Sequence, residues 1–252
     1  MQKGQSIGRV AISLTEDGKD SPALFKATSL PYQVTLSDSA SYLLVGGLGG
    51  LGRAISCWVV EQGARELIYL SRSAEKTPEV GMFVDELTSM GCKVHLVAED
   101  VIKPEDVART TSAGTRPLRG VLQMSMVLRD ANFAKMTFED WHAAVAPKVN
   151  GTWHLHNVTK DNDLDFFLLF SSLSGSVGQP GQANYASANT FLDTFVQYCQ
   201  SLKLAASAID IGANADIGVF TQSCDLLNEM KPTGFRGVSE QELLDAITLA
   251  IA

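Results

Sequence analysis

The chain has 252 residues, 45% of them hydrophobic and 19% charged, which is enough for one large domain with a solid core and too apolar for a disordered chain. A formal net charge of −8 argues against a nucleic-acid partner held on a basic face, although a local nest of backbone N–H groups can still hold a single nucleotide. Cys57, Cys92, Cys199 and Cys224 form no Cys-x-x-Cys, and no uncharged run approaches membrane-spanning length. A soluble protein of a reducing, cytoplasmic compartment is expected, without a metal or disulfide framework and without a membrane partner.

Residues 1–40 stand apart. Arg9 to Leu14 alternates like a strand, a polar stretch from Thr15 to Pro22 follows, and the whole segment reads as a linker or the tail of a preceding domain. From Ser41 the pattern becomes regular, and residues 41–252 read as one domain. Apolar strands at about 42–46, 66–70, 93–97, 118–123, 164–171 and 205–211 alternate with helix-like segments. This predicts an α/β fold, a Rossmann-type doubly wound parallel sheet flanked by helices on both faces. Phe166 to Phe170 is apolar without alternation, as a central strand buried on both faces should be. The last helix, from Glu240 to Ala252, reaches the end of the sequence without a stop signal and reads as cut there.

Directly after the first strand, Gly47, Leu48, Gly49, Gly50, Leu51 and Gly52 match a dinucleotide fingerprint in its strand–turn–helix setting. Glycine lets the chain turn tightly and lets a pyrophosphate approach the backbone, and the helix N-terminus then offers free N–H groups to the anion. The bland alternative is a glycine turn without a ligand. The next strand ends in Ser71, Arg72 and Ser73, where an NAD site would carry Asp or Glu for the ribose 2′-hydroxyl. An arginine fork with flanking hydroxyls suits a 2′-phosphate and favours NADPH over NADH, against the alternative of an ordinary surface arginine. Asp100, followed by Val101, ends the third strand. It is placed either to accept from the adenine amino group or to cap the helix entered at Pro104.

Four residues further along have the chemistry to reduce a carbonyl. Tyr185 can protonate a developing alkoxide, and a lysine ammonium at Lys148 would lower the phenol's pKa from its usual value near 10. Ser172 can hold the substrate oxygen. Asn189, one helical turn after Tyr185, shares its face and can steady the lysine or a water beside it. Taken singly, Ser171 and Ser172 would merely end a strand, Tyr185 would be an amphipathic helix residue, and Lys148 a solvated side chain after Pro147. The order and spacing of the set decide otherwise.

The segments Phe170 to Gly175, Gly178 to Asn189, Tyr42 to Arg53, Val127 to Asp130 and Ala146 to Trp153 together resemble ketoreductase domains of polyketide synthases, within the short-chain dehydrogenase/reductase superfamily. The resemblance covers about residues 41–252, and Gly120 to Asp130 is most similar to the highly reducing iterative synthases of fungi. Most short-chain dehydrogenases carry lysine four residues after the tyrosine. Polyketide ketoreductases exchange lysine and asparagine, as Lys148 and Asn189 do here. The resemblance implies Tyr185 as proton donor, Ser172 as partner of the substrate oxygen, and Lys148 and Asn189 as the supporting pair. It also implies a β-ketoacyl thioester on an acyl carrier protein as substrate, NADPH as hydride donor, and neighbouring synthase domains as partners.

Two departures stand out. Bacterial ketoreductases of one stereochemical type carry Leu-Asp-Asp where this chain has Leu128-Arg129-Asp130, and those of the other type often carry tryptophan where Val177 stands; Asp130 leans to the first type. The truncated structural partner domain usual in the family has no counterpart in the sequence. A non-catalytic structural module is the alternative reading, and intact Lys148, Ser172, Tyr185 and Asn189 argue against it. A free-standing alcohol dehydrogenase would favour lysine at 189. His154 and His156 should face different ways on a helix, His142 should lie at the surface, and Met124 and Met126 read as core or channel lining.

Overall fold

The computed structural model describes residues 34–74, 77–212 and 237–252. Among these residues six strands form one parallel sheet: β1 (Ser41–Val45), β2 (Glu66–Leu70), β3 (Lys93–Val97), β4 (Leu118–Gln123), β5 (Phe166–Ser172) and β6 (Ser207–Ile211), in the order β3-β2-β1-β4-β5-β6. The helices between them are α1 (Gly50–Glu61), α2 (Pro78–Ser89), α3 (Pro104–Thr111), α4 (Phe138–Thr159), the short α5 (Leu173–Val177), α6 (Ala183–Ser201) and α7 (Glu240–Ile251). The expected doubly wound sheet is what forms. Three strands fall where the sequence placed them, and the others differ by one or two residues at one or both ends. The strand expected at Arg9 to Leu14 and Cys224 lie outside the described residues. Among the described residues no helix is long and apolar enough to cross a membrane, and Cys57, Cys92 and Cys199 are free thiols.

Strand alternation divides the core in two. Tyr42, Leu44, Leu67, Tyr69, Phe166 and Leu168 pack with Ile55 and Val59 of α1, Phe83 and Leu87 of α2, and Leu243 and Ile247 of α7. Leu43, Val45, Ile68, Leu70, Phe167 and Leu169 pack with Val107 of α3, Leu155 of α4, and Leu192 and Phe195 of α6. The apolar run of β5 is therefore buried on both faces, as its lack of alternation predicts. Packing also extends ahead of position 41. Leu36 is buried in the core and its N–H donates to the Gln62 carbonyl (2.8 Å).

Gly120 fixes the middle of the sheet. It pairs in register with Tyr42 on one side and Phe166 on the other, and a Cβ there would lie 2.3 Å from the Phe166 ring. The Tyr42 and Phe166 rings stack across it, with centroids 5.9 Å apart.

At the opposite end from the glycine loop, a charged group is buried. Glu66, the first residue of β2, is fully buried, and its Oε1 accepts from the Thr115 N–H (2.9 Å), the Thr115 hydroxyl (2.8 Å) and His95 Nε2 (2.7 Å). Burial alone would raise its pKa. The hydrogen bonds from Thr115 and His95 outweigh that and hold it at about 2. The folded value lies below the unfolded one, so this stabilisation is complete above about pH 4.5 and fades as pH falls toward 2. In acid titrations followed by circular dichroism, Glu66→Gln should be less stable than wild type at neutral pH, with the gap closing between pH 4.5 and 2. A constant gap would mean that the Glu66 charge contributes nothing.

Candidate active site

The C-terminal ends of the strands open into one cavity of about 1290 Å³. This exceeds the roughly 300–1,000 Å³ typical of small-molecule pockets and leaves room for an extended ligand beside a second one. The glycine loop forms one end. Gly46 has φ +78°, and a Cβ there would press on the Ser125 backbone at 3.1 Å. At Gly52 a Cβ would stand 2.3 Å from the Gly47 carbonyl oxygen, so loop and helix approach as closely as backbone allows. Gly49 is the N-cap of α1, has no side-chain cap, and has open space where a Cβ would sit. Among the described residues the first N–H groups of α1 thus have neither an intrahelical nor a side-chain capping partner, and they lie at the cavity wall formed by Leu48, Gly49, Gly50, Leu51 and Gly52. Gly47 does not line the cavity; it supports the turn from behind, against Gly52.

Ser71, Arg72 and Ser73 line the cavity at the end of β2. The Ser71 and Ser73 hydroxyls lie 3.2 Å apart, and Arg72 is exposed and makes no ion pair among the described residues. Asp100 and Val101 line it beyond β3. The cap reading of Asp100 is corrected here: the N-cap of α3 is Lys103, which makes no side-chain cap bond. Asp100 Oδ1 instead accepts from the Ile102 N–H (3.2 Å), closing the turn ahead of the helix.

Polar side chains gather at the far end of the cavity. Lys148 on α4 is buried, not solvated, and its Nζ donates to the Phe170 carbonyl of β5 (2.6 Å) and lies 5.7 Å from the Tyr185 ring centroid. The preceding Pro147 helps to seat it, since its carbonyl accepts from Gln123 Nε2 (3.0 Å) and Ser125 Oγ (3.1 Å) at the end of β4. Ser172 caps α5, accepting from the Ser174 N–H (3.3 Å). Asn189 is fully buried on α6 and does not reach the cavity surface. Its Nδ2 donates to the Tyr185 carbonyl (2.8 Å), not to anything at the lysine, and its Oδ1 has no hydrogen-bond partner among the described residues.

The electrostatics differ from the sequence-based expectation. Burial pulls the Lys148 pKa down to about 7, with Asp193 opposing it. Burial pushes the Tyr185 phenol up, the nearby Ser172 and Asn189 side chains work against that, and the Asp130 charge adds to it. The expected net lowering of the phenol's pKa is therefore not found, because burial of the phenol outweighs the groups that oppose it.

The loop after β4, whose Met126, Val127 and Leu128 line the cavity, is pinned to the residues at the start of α6. Asn184 Nδ2 donates to the Arg129 (2.9 Å) and Asp140 (3.1 Å) carbonyls, Gln182 Nε2 donates to Asp130 Oδ2 (2.9 Å), and the Ala131 N–H donates to the Gly181 carbonyl (2.9 Å). Both Gln182 and Asn184 stand in the motif before Tyr185.

Residues 40–216, well over half of the chain, match the family described as KR domain. The chain belongs to that family. Over its whole length this KR domain is 50% identical to the highly reducing polyketide synthase sphB of Aspergillus fumigatus and 50% identical to lcsB of Purpureocillium lilacinum. It spans only about 10% of the length of each. Among solved structures it is similar to an A1-type ketoreductase (TM-score 0.82, 29% identity, 90% of this chain and 48% of that one). A ketoreductase domain from the bacillaene assembly line gives TM-score 0.81 at 26% identity, covering 90% of this chain and 56% of its own. As a KR domain the chain is an oxidoreductase of the ketoreductase type that works with a nicotinamide cofactor.

Two features of the KR domain escaped the sequence reading. The clamp by Gln182 and Asn184 lay inside a motif already noticed but drew no role. Asp193 sits one turn beyond Asn189 on the same face of α6, and that spacing was a legible signal. Its Oδ1 is buried without a hydrogen-bond partner among the described residues, and burial raises its pKa. His154 Nδ1 meets the Val101 carbonyl (3.1 Å) while His156 packs among Trp153, Phe195 and Tyr198, so the two face different ways, and His142 is exposed.

Burial of Lys148 has a stability signature. Its folded pKa near 7 lies below the unfolded value of about 10.4, so across that window the unfolded chain holds a proton the folded chain lacks. Lys148's contribution to stability should therefore rise with pH from about 7 to 10. Lys148→Met should melt above wild type at pH 7, with the difference shrinking by pH 9. A pH-independent difference would show that Lys148 is not desolvated.

Proposed function

We propose that the chain reduces the β-carbonyl of a β-ketoacyl thioester, carried on an acyl carrier protein, to the β-hydroxyacyl thioester with NADPH. The observation that carries this reading is one cavity with an uncapped helix N-terminus at one end and Tyr185, Ser172 and Lys148 at the other. The cavity fits a dinucleotide: the open space at Gly49 and the partnerless N–H groups of α1 suit its pyrophosphate. Ser71, Arg72 and Ser73 would hold a ribose 2′-phosphate, and Asp100 and Val101 would border the adenine. When bound, NADPH supplies a hydride to the β-carbon.

The side chains then handle the proton and the developing charge. With its pKa raised by burial, Tyr185 keeps its O–H at neutral pH and gives that proton to the carbonyl oxygen as C=O becomes CH–OH. Ser172 holds the same oxygen with its hydroxyl. The phenolate left behind stands beside Lys148, whose ammonium form it favours, so the lysine takes up the charge that the tyrosine gains. Asn189 acts through the Tyr185 carbonyl, fixing the helical turn from which the phenol projects. The chain spans about 10% of the length of the polyketide synthases it matches, which supports neighbouring synthase domains as partners.

Turnover of a β-ketoacyl thioester, read from NADPH absorbance, tests the reading. Tyr185→Phe should lower kcat about 10²- to 10⁴-fold while NADPH affinity stays as in wild type. Wild-type-like turnover in that variant would remove the tyrosine from the reaction. Absent NADPH binding by wild type, with no turnover, would favour the structural-module alternative.

Arg72 is tested separately, by cofactor affinity. Arg72→Ala should weaken NADPH about 10- to 100-fold and NADH hardly at all, as expected for loss of a charge-assisted contact to one phosphate. Equal losses for the two cofactors would overturn the 2′-phosphate assignment.

A further inference from the structure

Met126 is oddly placed for an apolar residue. It is 44% exposed, lines the cavity, and its Sδ lies 3.6 Å from the Tyr185 hydroxyl. A thioether is a weak acceptor, so the phenol O–H points its hydrogen at a partner that a carbonyl oxygen readily displaces. The backbone on either side is held fast. Ser125 Oγ donates to the Pro147 carbonyl (3.1 Å), the Arg129 carbonyl accepts from Asn184 Nδ2 (2.9 Å), and the Ala131 N–H donates to Gly181 (2.9 Å). The loop is fixed, and what can move is the unbranched side chain with its three torsions.

We infer that Met126 is a specificity-determining residue: it covers the Tyr185 hydroxyl in the free enzyme, swings aside for the substrate carbonyl, and packs against the carbons attached to it. The inference rests on the reading of a β-ketoacyl substrate given above. An atom within 3.6 Å of the phenol oxygen neighbours any carbonyl bonded to that phenol, so bulk at the carbons flanking the carbonyl meets the methionine. Leu173 and Val177 line the same cavity with exposed apolar surface, and Met126 completes an apolar wall around a polar pair. A flexible wall tolerates branched and unbranched chains alike, whereas a stiff β-branched side chain cannot adapt.

The experiment compares wild type, Met126→Ala and Met126→Ile on three thioesters: an unbranched β-ketoacyl chain, its α-methyl analogue and its γ-branched analogue. NADPH affinity serves as the check on folding and should match wild type in both variants. Met126→Ile should lower kcat/KM for one or both branched thioesters about tenfold relative to the unbranched one, and Met126→Ala should move the ratio the other way. Parallel changes across all three substrates, or none, would overturn the inference while leaving the reductase intact. Failure of wild type to reduce any of the three with NADPH bound would instead overturn the reading on which it rests, and the inference with it.

Discussion

The pairing of β1 with β4 is the constraint from which the site follows. The chain lays β2 and β3 on one side of β1 and then returns to its other side, and at that reversal the connections diverge and leave a crevice at the strand ends. Register makes this pairing specific. Tyr42, Gly120 and Phe166 lie in one row, and the two rings meet only because the middle residue has no side chain. With that row locked, Val45 stands opposite Gln123, and the residues that follow each strand end beside one another. Glycine loop and β4 loop meet there, with Gly46 pressed against the Ser125 backbone.

The polar end of the cavity is held at a cost in burial. Lys148 and Asn189 are almost wholly removed from water, and Asn189 Oδ1 and Asp193 Oδ1 both lack a hydrogen-bond partner among the described residues. A buried unsatisfied acceptor costs about 1–3 kcal/mol, and a buried lysine is worse unless it loses its proton. The lowered lysine and raised tyrosine pKa values are the same cost seen through titration. A protein selected for stability alone would fill this place with apolar residues. The conflict between local stability and local chemistry marks the site as clearly as any motif.

The fold was legible because its signals are local. Apolar runs bounded by Gly, Pro and Asp gave the strands, and the errors have plain causes. β1 ends at Val45 because Gly46 turns to φ +78°. Leu164, Ala206 and their neighbours pack against the core without joining a strand, which is why apolar character alone started β5 and β6 too early. The site was legible as a set of residue types, yet its electrostatics were not. Lys148 follows a proline and looks like a surface lysine; it is buried because the Phe170 carbonyl waits for it across the fold. The direction of the tyrosine's shift depends on how much water surrounds it, and no spacing encodes that. Asn189 was placed on the right face, but its partner proved to be the tyrosine's own carbonyl.

The two ends of the cavity are built from different materials, and this separates what can vary from what cannot. The glycine end is backbone: N–H groups, a positive φ and a contact so close that a single methyl at Gly52 would collide with Gly47. Side-chain substitution can do little there except damage. The Tyr185 end is side chain on a fixed frame, because Asn184, Gln182 and Ser125 hold the β4 loop whatever residue projects from position 126. Substitutions at the loop surface can reshape the substrate's surroundings without disturbing the sheet or the glycine turn. The sheet and its glycines set the frame of the cavity, and the side chains around Tyr185 can differ without altering that frame.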